Sequence, residues 1–139
     1  MASFSFENTK STAALVLDLL PTLVLAITFL QSGIDKLVDR AGNESYFRSH
    51  FAKSPLAKFS GPMLSALMVV ELLAGVLSAL GFLQILLGGG RTLAFWGATI
   101  SAFTFAGLFA GQRIAKDYVG AANLIPYFLV ALFGIFTLQ

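Results

Sequence analysis

Four long apolar runs constrain this chain more than any other feature. They extend from Ala13 to about Gly33, from about Pro62 to Leu86, from Thr92 to Ala110 and from Val119 to Leu138. A helix needs about 20 predominantly apolar residues to cross the hydrocarbon core of a bilayer, and each run meets that length. A soluble domain of 139 residues could not hide so much apolar surface: 57% of the chain is hydrophobic and 12% charged, against roughly 25% charged in soluble globular proteins. In lipid every backbone amide must find its partner inside the protein, which leaves helices and closed barrels. The runs are rich in Leu, Ala and Phe and show no alternation of apolar and polar residues, so helices are expected. The predicted fold is an all-α membrane protein: a four-transmembrane-helix bundle with a long first loop that contains an interfacial amphipathic helix. Residues 1–139 read as a single membrane domain.

Composition excludes several functions. A net charge of +2 and a pI near 9.2 come without any block of basic residues interleaved with aromatics, which argues against nucleic acid as a partner. With no cysteine, the chain forms no disulfide and offers no thiolate ligand. Lys10 followed by an apolar stretch imitates a signal peptide, but the run is too long, contains Asp18 and Pro21, and lacks a small-x-small cleavage pattern before Gly33. The segment is expected to stay as the first helix.

The connection from Ile34 to Gly61 is the longest and holds most of the charge. Within it Asn43 is placed to cap a short helix, Phe47 and Phe51 lie one turn apart on its apolar face, Arg48 and Lys53 face elsewhere, and Pro55 stops it. Gly88-Gly89-Gly90-Arg91 reads as a tight turn between antiparallel helices, not a phosphate loop, since the spaced Gly-Lys-Ser/Thr pattern is missing. Four spans put both termini and the glycine turn on one side. That side carries Lys10 and Arg91, whereas the other carries Lys36, Arg40, Arg48, Lys53, Lys58, Arg113 and Lys116. Cytoplasmic loops are the ones enriched in Lys and Arg, so both termini are expected on the non-cytoplasmic side.

Helices in lipid pack through small residues that let backbones approach. Ala94, Ala98, Ala102 and Ala106 recur every four residues, Gly107 and Gly111 repeat the spacing, and Gly75 and Gly81 thin the second helix. Pro21 and Pro126 are expected to kink the first and fourth spans.

An acidic group at a helix centre costs about 2.5 to 3.5 kcal/mol on insertion scales, so intramembrane ionisable residues are the first place to look for function. Glu71 is near the middle of the second span, on a face with Leu67, Met68, Ala74, Gly75 and Ser78. In the same leaflet stand Gln31 and Lys36 of the first span, Asn123 and Tyr127 of the fourth, and Arg113. These form the candidate ligand-binding cluster. Either Lys36 or Arg113 pairs with the carboxylate, or Glu71 stays a neutral acid that donates a hydrogen bond. The cluster is then a polar pocket for a headgroup, a quinone carbonyl or a proton, or else a polar knot that fixes helix register. Asp18, in the opposite leaflet, is expected to form a structural ion pair with Arg91. His50 reads as a surface or interfacial residue, since one imidazole supports neither bis-histidine haem nor a multi-histidine metal site. No catalytic residue and no metal site are proposed. Phe95, Trp96, Phe103, Phe105 and Phe109 on the third span read as packing and lipid-facing residues, with Trp96 and Tyr118 at the aromatic belts.

Gly33-Ile34-Asp35-Lys36-Leu37, closing the first span, resembles the Gly-x-x-Lys-Leu signature of DoxX-type membrane proteins. Gly61-Pro62 leading to Glu71, Gly75 and Gly81 is similar to that family's second helix, where an acidic residue precedes two spaced glycines. Where many members place Thr-Arg after the second helix's glycine, this chain has Gln84-Ile85, and the basic residue comes at Arg91. The resemblance covers nearly the whole chain. It implies a prokaryotic inner-membrane protein, with some relatives associated with thiosulfate:quinone oxidoreduction and others acting as membrane partners of redox or assembly proteins.

Together these readings point to a non-catalytic integral membrane subunit, or a binding module for a small ligand such as a lipid or quinone, with no intrinsic cofactor. Its expected partners are the bilayer and other membrane subunits or further copies of itself. A membrane component of a quinone-linked oxidoreductase is the second reading, with redox centres supplied from elsewhere. A small transporter or proton path is the third.

Overall fold

A computed structural model describes the backbone of residues 2–139 and the side chains of residues 12–139. Lys10 therefore lies outside the described side chains. The elements are α1 (Ala2–Val38), α2 (Arg40–His50), a 3-10 turn (Ala57–Phe59), α3 (Ser60–Leu86), α4 (Thr92–Ile114) and α5 (Tyr118–Leu138). Four of these segments are long and apolar enough to cross a membrane: Thr12–Val38, Ala57–Leu86, Thr92–Ile114 and Tyr118–Leu138. α1 packs mainly on α3, α3 on α4, α4 on α5, and α5 returns to α1. This order closes a four-helix bundle.

Burial is arranged as lipid demands. Ser78, Ser101, Thr22, Thr104, Asp18, Lys36 and Glu71 are buried, while Leu20, Val69, Phe103 and Phe136 are exposed. In water such a surface would drive aggregation; in lipid the apolar side chains meet a solvent as apolar as themselves, and small residues inside carry the helix contacts. A Cβ on Gly75 would lie 2.7 Å from the Leu30 backbone nitrogen, one on Gly33 2.7 Å from the Leu72 side chain, and one on Gly81 would run into the Ala94 backbone. Gly97 sits against Ser78, whose Oγ is the one sealed side-chain polar atom without a hydrogen-bond partner among the described residues.

The small-residue stripe of α4 is shorter than its sequence spacing suggests. Ala94, Ala98 and Ala102 are buried, whereas Ala106 and Gly107 are exposed. Four residues advance a helix by about 400°, so a strict four-residue repeat drifts about 40° per step and leaves the interface after three members. The drift places Gly107 at the edge of an open space described below.

The connection between the first two spans also differs from expectation. α1 continues to Val38 and α2 begins at Arg40, so much of the expected loop is helical. The cap of α2 is Asp39, which accepts from the Gly42 amide. Asn43 instead sits inside the helix and donates to the Asp35 carboxylate and the Asp39 carbonyl. Asp39 outcompetes it because a carboxylate one residue before the first turn reaches an amide that has no intrahelical partner. The helix stops at His50, five residues before Pro55. Pro21 and Pro126 fall within α1 and α5, which run through them.

Both tight turns rest on helix-ending hydrogen bonds that cross over. After α3, Gly89 N donates to Gln84 O and Gly88 N to Ile85 O, with Gly88 at φ 74°. Gln84 then bridges the turn, accepting from Leu93 N and donating to Gly89 O. After α4 the same pattern recurs, Asp117 N to Gln112 O and Lys116 N to Arg113 O, but the left-handed position is held by Lys116 at φ 62°. Asp117 at once caps α5 through the Gly120 amide.

Candidate functional site

Ser32 and Lys36 are one turn apart on α1 and share a face, and that face meets Glu71 on α3. Lys36 Nζ lies 3.0 Å from Glu71 Oε2 and donates to Ser32 Oγ at 2.8 Å. Ser32 Oγ in turn donates to the same Glu71 oxygen at 2.9 Å. The side chains are nearly sealed, with Lys36 10% and Glu71 3% exposed. Taking either charge alone out of water would cost several kcal/mol, so the pair persists because each ion neutralises the other and the hydroxyl completes the triangle.

The triangle forms the polar end of a cavity of about 620 Å³, within the size range of small-molecule sites. Its walls come from α3 (Met63, Leu67, Val70) and α4 (Ile100, Phe103, Thr104, Gly107), and α2 covers the far end with Tyr46, Phe47 and His50. Ala66, Val70, Phe103 and Gly107 are exposed, so the mouth opens sideways between α3 and α4. His50, expected at the surface or the interface, is largely covered, with its side chain 15% exposed. It stacks on Tyr46 with ring centroids 5.2 Å apart, places Nε2 2.5 Å from Gln112 Oε1 and stands 3.8 Å from Asp117 Oδ2. Arg40 anchors the other end of α2 through Ser65 Oγ at 2.6 Å.

The candidate cluster is narrower than the sequence suggested. Of its six members, Lys36 and Glu71 meet. Gln31 and Asp35 are each one residue from Ser32 and Lys36, a rotation of about 100°, and they line a separate exposed groove between α1 and α5 together with Tyr127. Arg113 is turned away by the same step from Gln112 and lies over the Tyr118 ring, 4.4 Å from its centroid. Asn123 is exposed. Phe105, by contrast, is buried between Phe29, at 4.7 Å, and Tyr127, at 5.9 Å.

In the opposite leaflet Arg91 Nη1 is 3.3 Å from Asp18 Oδ2 and 3.5 Å from the Thr137 carbonyl. One guanidinium thus spans α1, the start of α4 and the end of α5. Ser32, Tyr46, His50, Thr104 and Gln112 are the polar cavity residues that sequence reasoning did not select. Ser32 had a signal, its i, i+4 spacing to Lys36; the others had none, because α2 and the end of α4 meet only in three dimensions. Among the described residues no three His, Cys, Asp or Glu gather as metal ligands.

The residues of this site fall in a recognisable stretch, since the DoxX family model matches residues 17–107. The chain belongs to the DoxX family. Lys36, Glu71, Thr104 and Gly107 all lie inside the part matched to DoxX, whereas Gln112 and α5 lie beyond it. The DoxX assignment and the four apolar helices together describe a multi-pass membrane protein. No curated protein and no solved structure matched the chain.

Proposed function

We propose that this DoxX protein is a non-catalytic subunit of a larger membrane assembly that holds a small amphiphile, a lipid or a quinone, in the cavity above Lys36 and Glu71. The observation that carries this reading is the internally neutralised, nearly sealed ion pair at the end of a cavity of about 620 Å³. Intramembrane charges are expensive and tend to mark ligand or ion paths, and an apolar cavity with a few convergent polar groups is the usual form of a small-molecule site. The lateral mouth between α3 and α4 suits a ligand that arrives through the bilayer. The excess of basic residues on the α2 side, Lys36, Arg40, Arg48, Lys53, Lys58, Arg113 and Lys116, supports a reading in which that side faces the cytoplasm, with α2 at the interface; the inner membrane of a prokaryote is what the family resemblance implies. Any electron transfer to a quinone in this cavity would draw on a redox centre in a partner protein.

Native mass spectrometry after extraction from its own membrane in mild detergent tests the proposal. A retained amphiphile together with a copurifying protein subunit is the expected result; a subunit without an amphiphile would leave the assembly role and remove the ligand site. A lone monomer that carries neither overturns it.

A further inference from the structure

The cavity's polar end is asymmetric in its hydrogen bonding. Glu71 Oε2 accepts from Ser32 and pairs with the Lys36 ammonium, and no donor among the described residues reaches Oε1. Oε1 is not a sealed atom, since Ser78 Oγ alone has that status. On a residue that lines the cavity it is therefore open to it. The donors nearby are already committed. The Lys36 ammonium donates to Ser32 Oγ and to the Ser32 carbonyl and is held 3.0 Å from Glu71 Oε2 by the ion pair. Thr104 Oγ1, also in the lining, donates to the Ile100 carbonyl at 2.7 Å and keeps its lone pairs. The deep end thus presents two open acceptors, Glu71 Oε1 and the lone pairs of Thr104 Oγ1.

Building on the amphiphile site proposed above, we infer that the cavity selects a ligand whose head donates a hydrogen bond: a hydroxyl on an apolar body, seated against Glu71 Oε1 and Thr104 Oγ1. A carbonyl or ether head would bring a lone pair to a carboxylate oxygen and gain nothing there, whereas a hydrogen bond to a charged acceptor is among the stronger ones. The pair is neutral as a unit, so an anionic headgroup finds no net positive charge. A phenolic ring and a lipid alcohol share the required chemistry.

The test uses wild-type protein in phosphatidylcholine nanodiscs, with protein-free discs as the baseline for partitioning. Binding of 4-nonylphenol is compared with that of its methyl ether, and binding of 1-dodecanol with that of its methyl ether. At least one hydroxyl probe binding about tenfold tighter than its ether is expected; which one does so identifies a ring or an aliphatic alcohol as the head. Gly107→Leu, where an added Cβ meets nothing within 4 Å, fills the cavity without touching the ion pair and removes the excess binding. Hydroxyl and ether binding equally, both lost in Gly107→Leu, overturns donor selection and leaves the amphiphile site standing. No probe exceeding the baseline, in wild type or Gly107→Leu, removes both.

Discussion

Lys36 and Glu71 meet at 3.0 Å across the α1–α3 interface, and Ser32 bonds to both of them. Removing one partner of such a buried pair strands the other charge. Lys36→Met is expected to lower stability by about 3 to 5 kcal/mol, read from thermal unfolding in detergent. Lys36→Met combined with Glu71→Gln removes both charges and recovers much of that loss. A double variant as unstable as the sum of the two single variants would show that the groups are not coupled.

The close approach of α3 and α4 depends on glycine at two positions. Gly81→Ala drives a methyl group into the Ala94 backbone, and Gly97→Ala drives one onto Ser78; each is expected to cost about 1 to 3 kcal/mol. Gly107→Ala, which lies inside α4 and meets nothing within 4 Å, is expected to hold or raise stability, by at most about 1 kcal/mol. Equal effects at all three sites would contradict the packing described.

Lys116 occupies a left-handed position at φ 62° that L side chains pay to adopt. Lys116→Gly is expected to raise stability by about 1 kcal/mol, again by thermal unfolding. A loss of stability would mean that the Lys116 side chain makes a contact worth more than the backbone relief.

The cysteine-free sequence makes orientation easy to measure. With a membrane-impermeant maleimide, Arg48→Cys is expected to label only from the cytoplasmic side and Gly89→Cys only from the opposite side. The reversed pattern would place the α2 cover of the cavity outside the cell.

The spans, the inward face of Glu71 and the Lys36 alternative among its partners were legible because length, polarity and helical periodicity are local properties. Arg91 and Asp18 were legible as well, being two charges stranded in the same leaflet. The rest of the site was not. Whether Gln31 or Ser32 faces α3 depends on a single 100° step, and a span boundary known to a few residues cannot resolve it. His50 read as a surface or interfacial residue because nothing in its neighbourhood reveals that α2 folds back to meet Gln112, 62 positions further along the chain. The cap at Asp39 was hidden by the assumption that α1 ended at Gly33.

The space bounded by Lys36, Glu71 and Gly107 is proposed to hold a small molecule. Native mass spectrometry of wild type and Gly107→Leu, each extracted from the same membrane in the same detergent, tests it most directly. An amphiphile retained by the wild type and absent from Gly107→Leu, with both proteins equally folded, is the expected result. Equal retention by the two would place the ligand elsewhere on the protein.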